Sequence, residues 1–220
     1  MKAALALFAK APELGKVKTR LARTHGEEFA LQLAHAMLGD TLSLCRGVNV
    51  ETRLFLTPDG FDSLSLWTGQ THPQGEGNLW TRLLRADAML RREGFDTVVI
   101  IGSDSPDLPS LIIKAALHFL GTRSLVVGPS TDGGFYLLGS SRPLPKDLFQ
   151  DVPISSRQTF AALKANLHRL QHEQDLKFLT LTEWRDVDEE EDLKLFIERL
   201  HDAPNAAPQC RAVLEKWHLL

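Results

Sequence analysis

Four short apolar runs, residues 3 to 9, 52 to 57, 97 to 102 and 124 to 129, alternate with longer stretches whose apolar residues recur at helical spacing, over 27 to 46, 78 to 93 and 109 to 120. Runs this short and this uniformly apolar read as strands buried on both faces, and the stretches between them as helices. Parallel strands need crossover connections, so the alternation implies a mostly parallel sheet covered by helices on both sides. The expected fold is a three-layer α/β/α domain. A length of 220 residues admits one large domain or two small ones. No internal repeat, low-complexity tract or linker divides the chain, so a single domain over 1–220 is expected.

The pattern changes after Pro129. Asp132-Gly133-Gly134 is a turn signal, and Phe135 to Gly139 reads as a strand that breaks the alternation and runs antiparallel. Residues 155 to 170 read as a helix, with Ser155 or Ser156 as N-cap. A short strand from Lys177 to Leu181 leads to Asp186-Val187-Asp188, and Glu189 to Leu200 restarts a helix with acids in its first turn, where the helix dipole favours them. Residues 203–220 read as a peripheral C-terminal helix that follows Pro204 or Pro208.

Charge and composition exclude several classes of function. Apolar residues make up 43% and charged residues 24% of the chain, and the formal net charge is -3, so no broad basic face for nucleic acid or anionic lipid is implied. No segment approaches the run of about 20 apolar residues that a membrane span needs. Lys10 and Pro12 interrupt the first apolar run before it reaches the length of a signal-peptide core, and it reads as strand one. Cys45 and Cys210 lack metal-type or redox-type spacing and read as free thiols, consistent with a cytoplasmic protein. The eight histidines form no metal-like constellation.

The third apolar run ends in Gly102-Ser103-Asp104-Ser105-Pro106-Asp107, placing carboxylates at a strand top, where open α/β sheets bind ligands. Asp is seldom buried without a partner or a metal, so Asp104 is the lead candidate for a ligand to a hard cation such as Mg²⁺. Asp107 fits either a ligand or a cap for the helix that follows. The first strand is followed by Lys10-Ala11-Pro12-Glu13-Leu14-Gly15-Lys16-Val17-Lys18-Thr19-Arg20, four cations in a Pro/Gly loop able to meet an anion with N–H groups and side chains. It matches neither the Walker A spacing nor G-x-G-x-x-G. Asp186 and Asp188 form a second acidic pair that alternation sends to one side of an extended segment, and Asp188 by itself also reads as a cap for the helix that follows. The Gln74-Gly75-Glu76-Gly77-Asn78 segment opens a helix carrying Arg82, and its amides suit the edge of a nucleobase.

In series, FAKAPELGKVKTRL, QGEGNLWTRL, IGSDSPDLP, GPSTDGGFYLLG and DVDEEEDL resemble the bacterial GT-A-like glycosyltransferases linked to arsenosugar biosynthesis, within the nucleotide-diphospho-sugar transferase superfamily. The resemblance spans about the first 195 residues, in the same order. It implies a Rossmann-like sheet with a nucleotide over its first strand and a divalent metal, Mg²⁺ or Mn²⁺, on the diphosphate. It assigns Asp104 to the metal, with Asp188 and Asp186 as the second acidic position. Lys10, Lys18 and Arg20 correspond to the basic loop over the phosphates, and Asp132, Gly133 and Gly134 to the acceptor side. Asn78 and Trp80 stand where that family carries Asp and Gly, and Glu189-Glu190 where it carries Thr-Pro.

These residues together point to a metal-dependent transferase with a nucleotide-activated donor, most directly a glycosyltransferase using a nucleotide sugar and a small-molecule acceptor. Asp104 with the metal, and Lys18 beside it, would stabilise charge on the departing diphosphate, and Asp132 is the candidate acceptor-side base. Gly15, Gln74, Gly75 and Arg82 complete the expected nucleotide contacts. A nucleotidyltransferase releasing pyrophosphate is the nearest rival, because a cation-rich first loop suits a triphosphate. A catalytically silent nucleotide-binding or scaffold protein is the reading from a different class.

Overall fold

The computed structural model describes residues 2–59 and 67–220. In chain order the elements are β1 (Ala3–Lys10), α1 (Thr19–His25), α2 (Glu27–Val48), β2 (Glu51–Thr57), β3 (Thr71–Pro73), α3 (Leu79–Arg92), β4 (Thr97–Gly102), α4 (Ser110–Phe119), β5 (Leu125–Pro129), β6 (Phe135–Ser140), α5 (Thr159–Gln174), β7 (Phe178–Thr180), α6 (Glu190–Asp202) and α7 (Pro208–Lys216). Among the described residues the strands form one sheet in the order β3-β2-β1-β4-β6-β5-β7. Every pairing is parallel except those of β6, which runs antiparallel to both β4 and β5.

Alternation along the strands divides the core. On β1, Ala4, Ala6 and Phe8 face one apolar cluster with α3 and α5, and Leu5, Leu7 and Ala9 face another with α2 and α4. On β4, Val98 and Ile100 join the first while Val99 and Ile101 join the second. A strand buried on both faces has no polar side, which is why its sequence reads as a continuous apolar run. The expected three layers and mostly parallel mixed sheet are therefore present, including the antiparallel strand after Gly134.

A third cluster lies off the sheet, where Leu21, Phe29 and Met37 of α1 and α2 pack on Phe196 and Leu200 of α6 and on Leu214 of α7. The C-terminal helix is thus remote from the sheet but not loosely attached. It begins with Pro208 at its first turn, and the buried Asp40 carboxylate accepts from the backbone N–H groups of Gln209 (3.0 Å) and Cys210 (2.8 Å). Cys45 and Cys210 are buried free thiols, and burial pushes the Cys45 thiol up to about 12.

Three local expectations are corrected. The helix expected from 155 begins at Thr159, because Ser155 adopts a left-handed backbone (φ 52°) and Ser156 Oγ accepts from Gln158 N–H at 3.1 Å in a turn before the helix. Asp107 neither caps α4 nor faces the site, as its carboxylate is held by Arg199. The cap of α6 is Glu189, which shares a capping box with Asp192, so Asp188 is released from that role.

Candidate active site

A cleft of about 600 Å³ opens over the C-terminal ends of β1 and β4. From these neighbours the chain continues in opposite directions across the sheet, which is where open α/β sheets bind ligands. One wall is the loop after β1, another the loop after β4 together with residues 186–188, and a third the β5–β6 turn with residues 155–159.

Gly15, at φ 72°, supplies the left-handed conformation that the first loop needs, and Lys16 N–H closes a turn onto the Glu13 carbonyl at 3.0 Å. Lys10 Nζ draws the loop together by donating to the Lys16 carbonyl at 2.5 Å. Lys18 is also left-handed (φ 44°, ψ 43°), a conformation uncommon for a residue with a β-carbon. Its side chain is only 8% exposed, and its Nζ donates to Asp104 Oδ1 and, at 2.7 Å, to the Val187 carbonyl, lying 3.7 Å from Asp188 Oδ1. Burial works against the charged lysine, but the Asp104 carboxylate, backed by Asp188 and Asp186, outweighs it and holds Lys18 above its ordinary value.

Two bonds tie the acidic segments together across the sheet edge. Val187 N–H donates to the Asp104 carbonyl at 2.8 Å, and Ser105 Oγ donates to Asp186 Oδ1 at 2.8 Å. Val187 is fully buried in the third cluster, so alternation leaves Asp186 and Asp188 on the cleft side. Burial pushes the Asp186 carboxyl up to about 6, and the charges of Asp104 and Asp132 add to the shift. Asp104 stays open to the cleft, with its side chain 53% exposed. Arg20 lies at the mouth, its Nη1 3.0 Å from Asp188 Oδ2 and 2.6 Å from Glu189 Oε1.

On the opposite wall, Asp132 and Gly134 line the cleft, and Asp132 Oδ1 accepts from Gly134 N–H at 2.8 Å. Gly133 serves the scaffold: it is left-handed at φ 91°, and a β-carbon there would lie 2.3 Å from the Arg157 carbonyl. Ser156, Thr159 and Tyr136 also face this side, and sequence reading did not single them out. The Ser155-Ser156 pair was the available signal, but it reads equally as a helix cap.

The Gln74 segment departs from expectation. Gln74 is buried, and its Nε2 donates to the carbonyls of Ala9 and Phe55, each at 3.1 Å, fastening β1 and β2 to the segment. Its amide nitrogen is therefore committed to the scaffold and not free for a base edge, although the residue borders the cleft. Gly75 and Arg82 do not line the cleft. Arg82 Nε donates to the Gly77 carbonyl at 2.9 Å, and Gly75 N–H donates to Asp59 Oδ1 at 3.1 Å. Asn78 caps α3 by accepting from Thr81 N–H at 3.0 Å, as an Asp would. Trp80 fills the cleft wall, stacked on Phe149 with ring centroids 4.7 Å apart, and donates to the Val152 carbonyl at 2.8 Å.

The resemblance implies a divalent metal between Asp104 and the 186–188 acids. Here the donor set is arranged around an ammonium: Lys18 stands between Asp104 and Asp188, Arg20 takes the outer oxygen of Asp188, and Ser105 holds Asp186. Among the described residues no three His, Cys, Asp or Glu side chains converge as a cation cage. As they stand, these side chains fit a lysine and not a divalent ion.

A solved structure from Desulfovibrio desulfuricans, titled "putative nucleotide-diphospho-sugar transferase", is 26% identical to this chain, with a TM-score of 0.89 over 98% of this chain and 95% of that one. A cytidylyltransferase from Leptospira borgpetersenii (14% identical, TM-score 0.58, 98% and 94% covered) shares the fold. So does 4-diphosphocytidyl-2C-methyl-D-erythritol synthase from Anaerococcus prevotii (13% identical, TM-score 0.56, 91% and 98% covered). None of the curated proteins matches. These likenesses establish the nucleotide-diphospho-sugar transferase fold. Residues 41–156 match a family model described as "Uncharacterized protein conserved in bacteria (DUF2064)", and with more than half of its length matched, the chain belongs to that family.

Proposed function

We propose that this chain is a cytoplasmic transferase that binds a nucleotide-activated donor, a glycosyltransferase using a nucleotide sugar. The observation that carries this reading is the meeting of the β1 loop and the two acidic segments at one rim, with Lys18 bonded to Asp104 across 86 residues of sequence. Lys10, Lys16, Lys18 and Arg20 are the cationic residues along that rim and would bind the donor diphosphate. As the bond to the sugar breaks, negative charge grows on the departing diphosphate, and fixed cations in a partly enclosed cleft stabilise it more than water does. Asp132 faces the same space and would accept the acceptor proton.

The acceptor in this reading is a small molecule that enters beside Asp132. A thermal-shift panel of nucleotides and nucleotide sugars tests the reading. A ligand at a hundred times its dissociation constant stabilises by about 2.7 kcal/mol, or roughly 5–10 °C for a chain of this size. The Lys18→Ala variant should lose most of that shift. A panel in which no nucleotide raises the melting temperature would exclude the reading.

The second reading is a nucleotidyltransferase, favoured by the four cations of the first loop and by the fold shared with a cytidylyltransferase. Product analysis separates the two: a nucleoside diphosphate accompanies glycosyl transfer, and pyrophosphate accompanies nucleotidyl transfer.

A further inference from the structure

We propose that Lys18 is the built-in cation of this site: its ammonium stands where a divalent ion would have to bridge Asp104 and Asp188, so the free protein takes up no such ion there. The inference rests on the proposed function only for the identity of the anion, a diphosphate, that later meets the lysine.

Three observations fix the ammonium in place. It is held by the Asp104 carboxylate and the Val187 carbonyl, with Asp188 Oδ1 at 3.7 Å. Its side chain is 8% exposed. Its backbone is left-handed (φ 44°) at the N-cap of α1, the residue just before Thr19, so the helix entry fixes where its side chain starts. The acids are also already compensated: both oxygens of Asp188 face cations, Lys18 on one side and Arg20 on the other, and Asp186 accepts from Ser105.

A divalent ion entering between Asp104 and Asp188 would lie beside a buried like charge. Displacing the ammonium would strip it of its carboxylate partners in a place water reaches poorly, which is costly for a charged group. A phosphate group approaching from the cleft meets Lys10, Lys16 and Arg20, which also line it, and the Asp104 charge it faces is already offset by the lysine.

The test uses the free protein without nucleotide, so it can fail while the functional reading stands, and the reverse. Free Mn²⁺ is followed by its electron paramagnetic resonance signal as protein is added. Wild type should leave the signal undiminished. Lys18→Met, checked for folding by circular dichroism, should free the two carboxylates and bind Mn²⁺ on the order of tenfold more tightly or better, as two carboxylates without a competing cation do. Adding Asp104→Asn to that variant should abolish the gain. Uptake of Mn²⁺ by wild type that Asp104→Asn removes would overturn the proposal, and so would a folded Lys18→Met protein that binds no Mn²⁺. If Lys18→Met does not fold, wild type still decides: the amide resonances of Lys18, Asp104 and Asp188 should not move on addition of Mg²⁺, and a saturable shift would refute the assignment.

Discussion

Arg199 grips Asp107 through two hydrogen bonds, Nε to Oδ2 at 2.5 Å and Nη2 to Oδ1 at 3.2 Å. The Asp107 side chain is 4% exposed, so this is a nearly buried fork-to-carboxylate pair joining the loop after β4 to α6. Removing one partner of such a pair leaves an uncompensated charge. Arg199 is 27% exposed and keeps contact with water, so Asp107→Ala should lower stability by about 1–3 kcal/mol in urea unfolding. A loss under about 1 kcal/mol would show that the pair is not the brace described here.

Asp186 gives stability a pH dependence of its own. Its folded carboxyl is pushed up to about 6, above an unfolded value near 4, so the native state holds the proton more tightly than the unfolded chain. Its stabilising contribution is complete below the unfolded value and is lost as pH rises toward 6. Asp186→Asn, which can still accept from Ser105, should raise stability at pH 7 by on the order of 2 kcal/mol and flatten the profile between pH 4 and 6. Unfolding curves collected across that range check both effects.

Arg20 separates binding from stability. It pairs with Asp188 and Glu189 where all three side chains are more than half exposed, so Arg20→Ala should change unfolding free energy by less than about 1 kcal/mol. If the loop holds a diphosphate, the same variant should weaken nucleotide binding by roughly tenfold, the loss of about one charge-assisted hydrogen bond. Calorimetric titration beside a melt distinguishes the two effects.

Trp80 is a wall and not an intrusion. It is 7% exposed, stacks on Phe149 at an interplanar angle of 3° and donates to Val152. Trp80→Ala should cost about 3–5 kcal/mol through the cavity and the orphaned carbonyl. A variant as stable as wild type would mean that the α3 side of the cleft collapses to fill the space.

The strands of the sheet were legible because those buried on both faces must be apolar along their buried length, as β1 is from Ala4 to Ala9, β4 from Val98 to Ile101 and β5 throughout. Two elements were not. α1 has seven residues and starts from a left-handed lysine without a capping side chain, and β3 has three residues. Neither is long enough to impose a period on the sequence. At the site, chemistry nominated Lys18, Asp104 and Asp188 separately, but that the lysine lies between the acids is a fact of folding that no local pattern carries. The hold of Gln74 on the scaffold is invisible in the sequence for a related reason. Its partners are the carbonyls of Ala9 and Phe55, and backbone acceptors leave no mark in composition.

The reversed direction of β6 determines which edge of the sheet its preceding turn occupies. Because β6 opposes both neighbours, β5 points the same way as β1 and β4, and the connection between β5 and β6 emerges beside the lysine and the acids instead of at the far end. Residues 130–134 are a hairpin tip pinned from both sides, Thr131 N–H donating to the Trp184 carbonyl at 3.1 Å and Phe160 N–H to the Gly133 carbonyl at 2.7 Å. One flipped strand thus gives the cleft a second fixed margin, facing the lysine–carboxylate side across the opening.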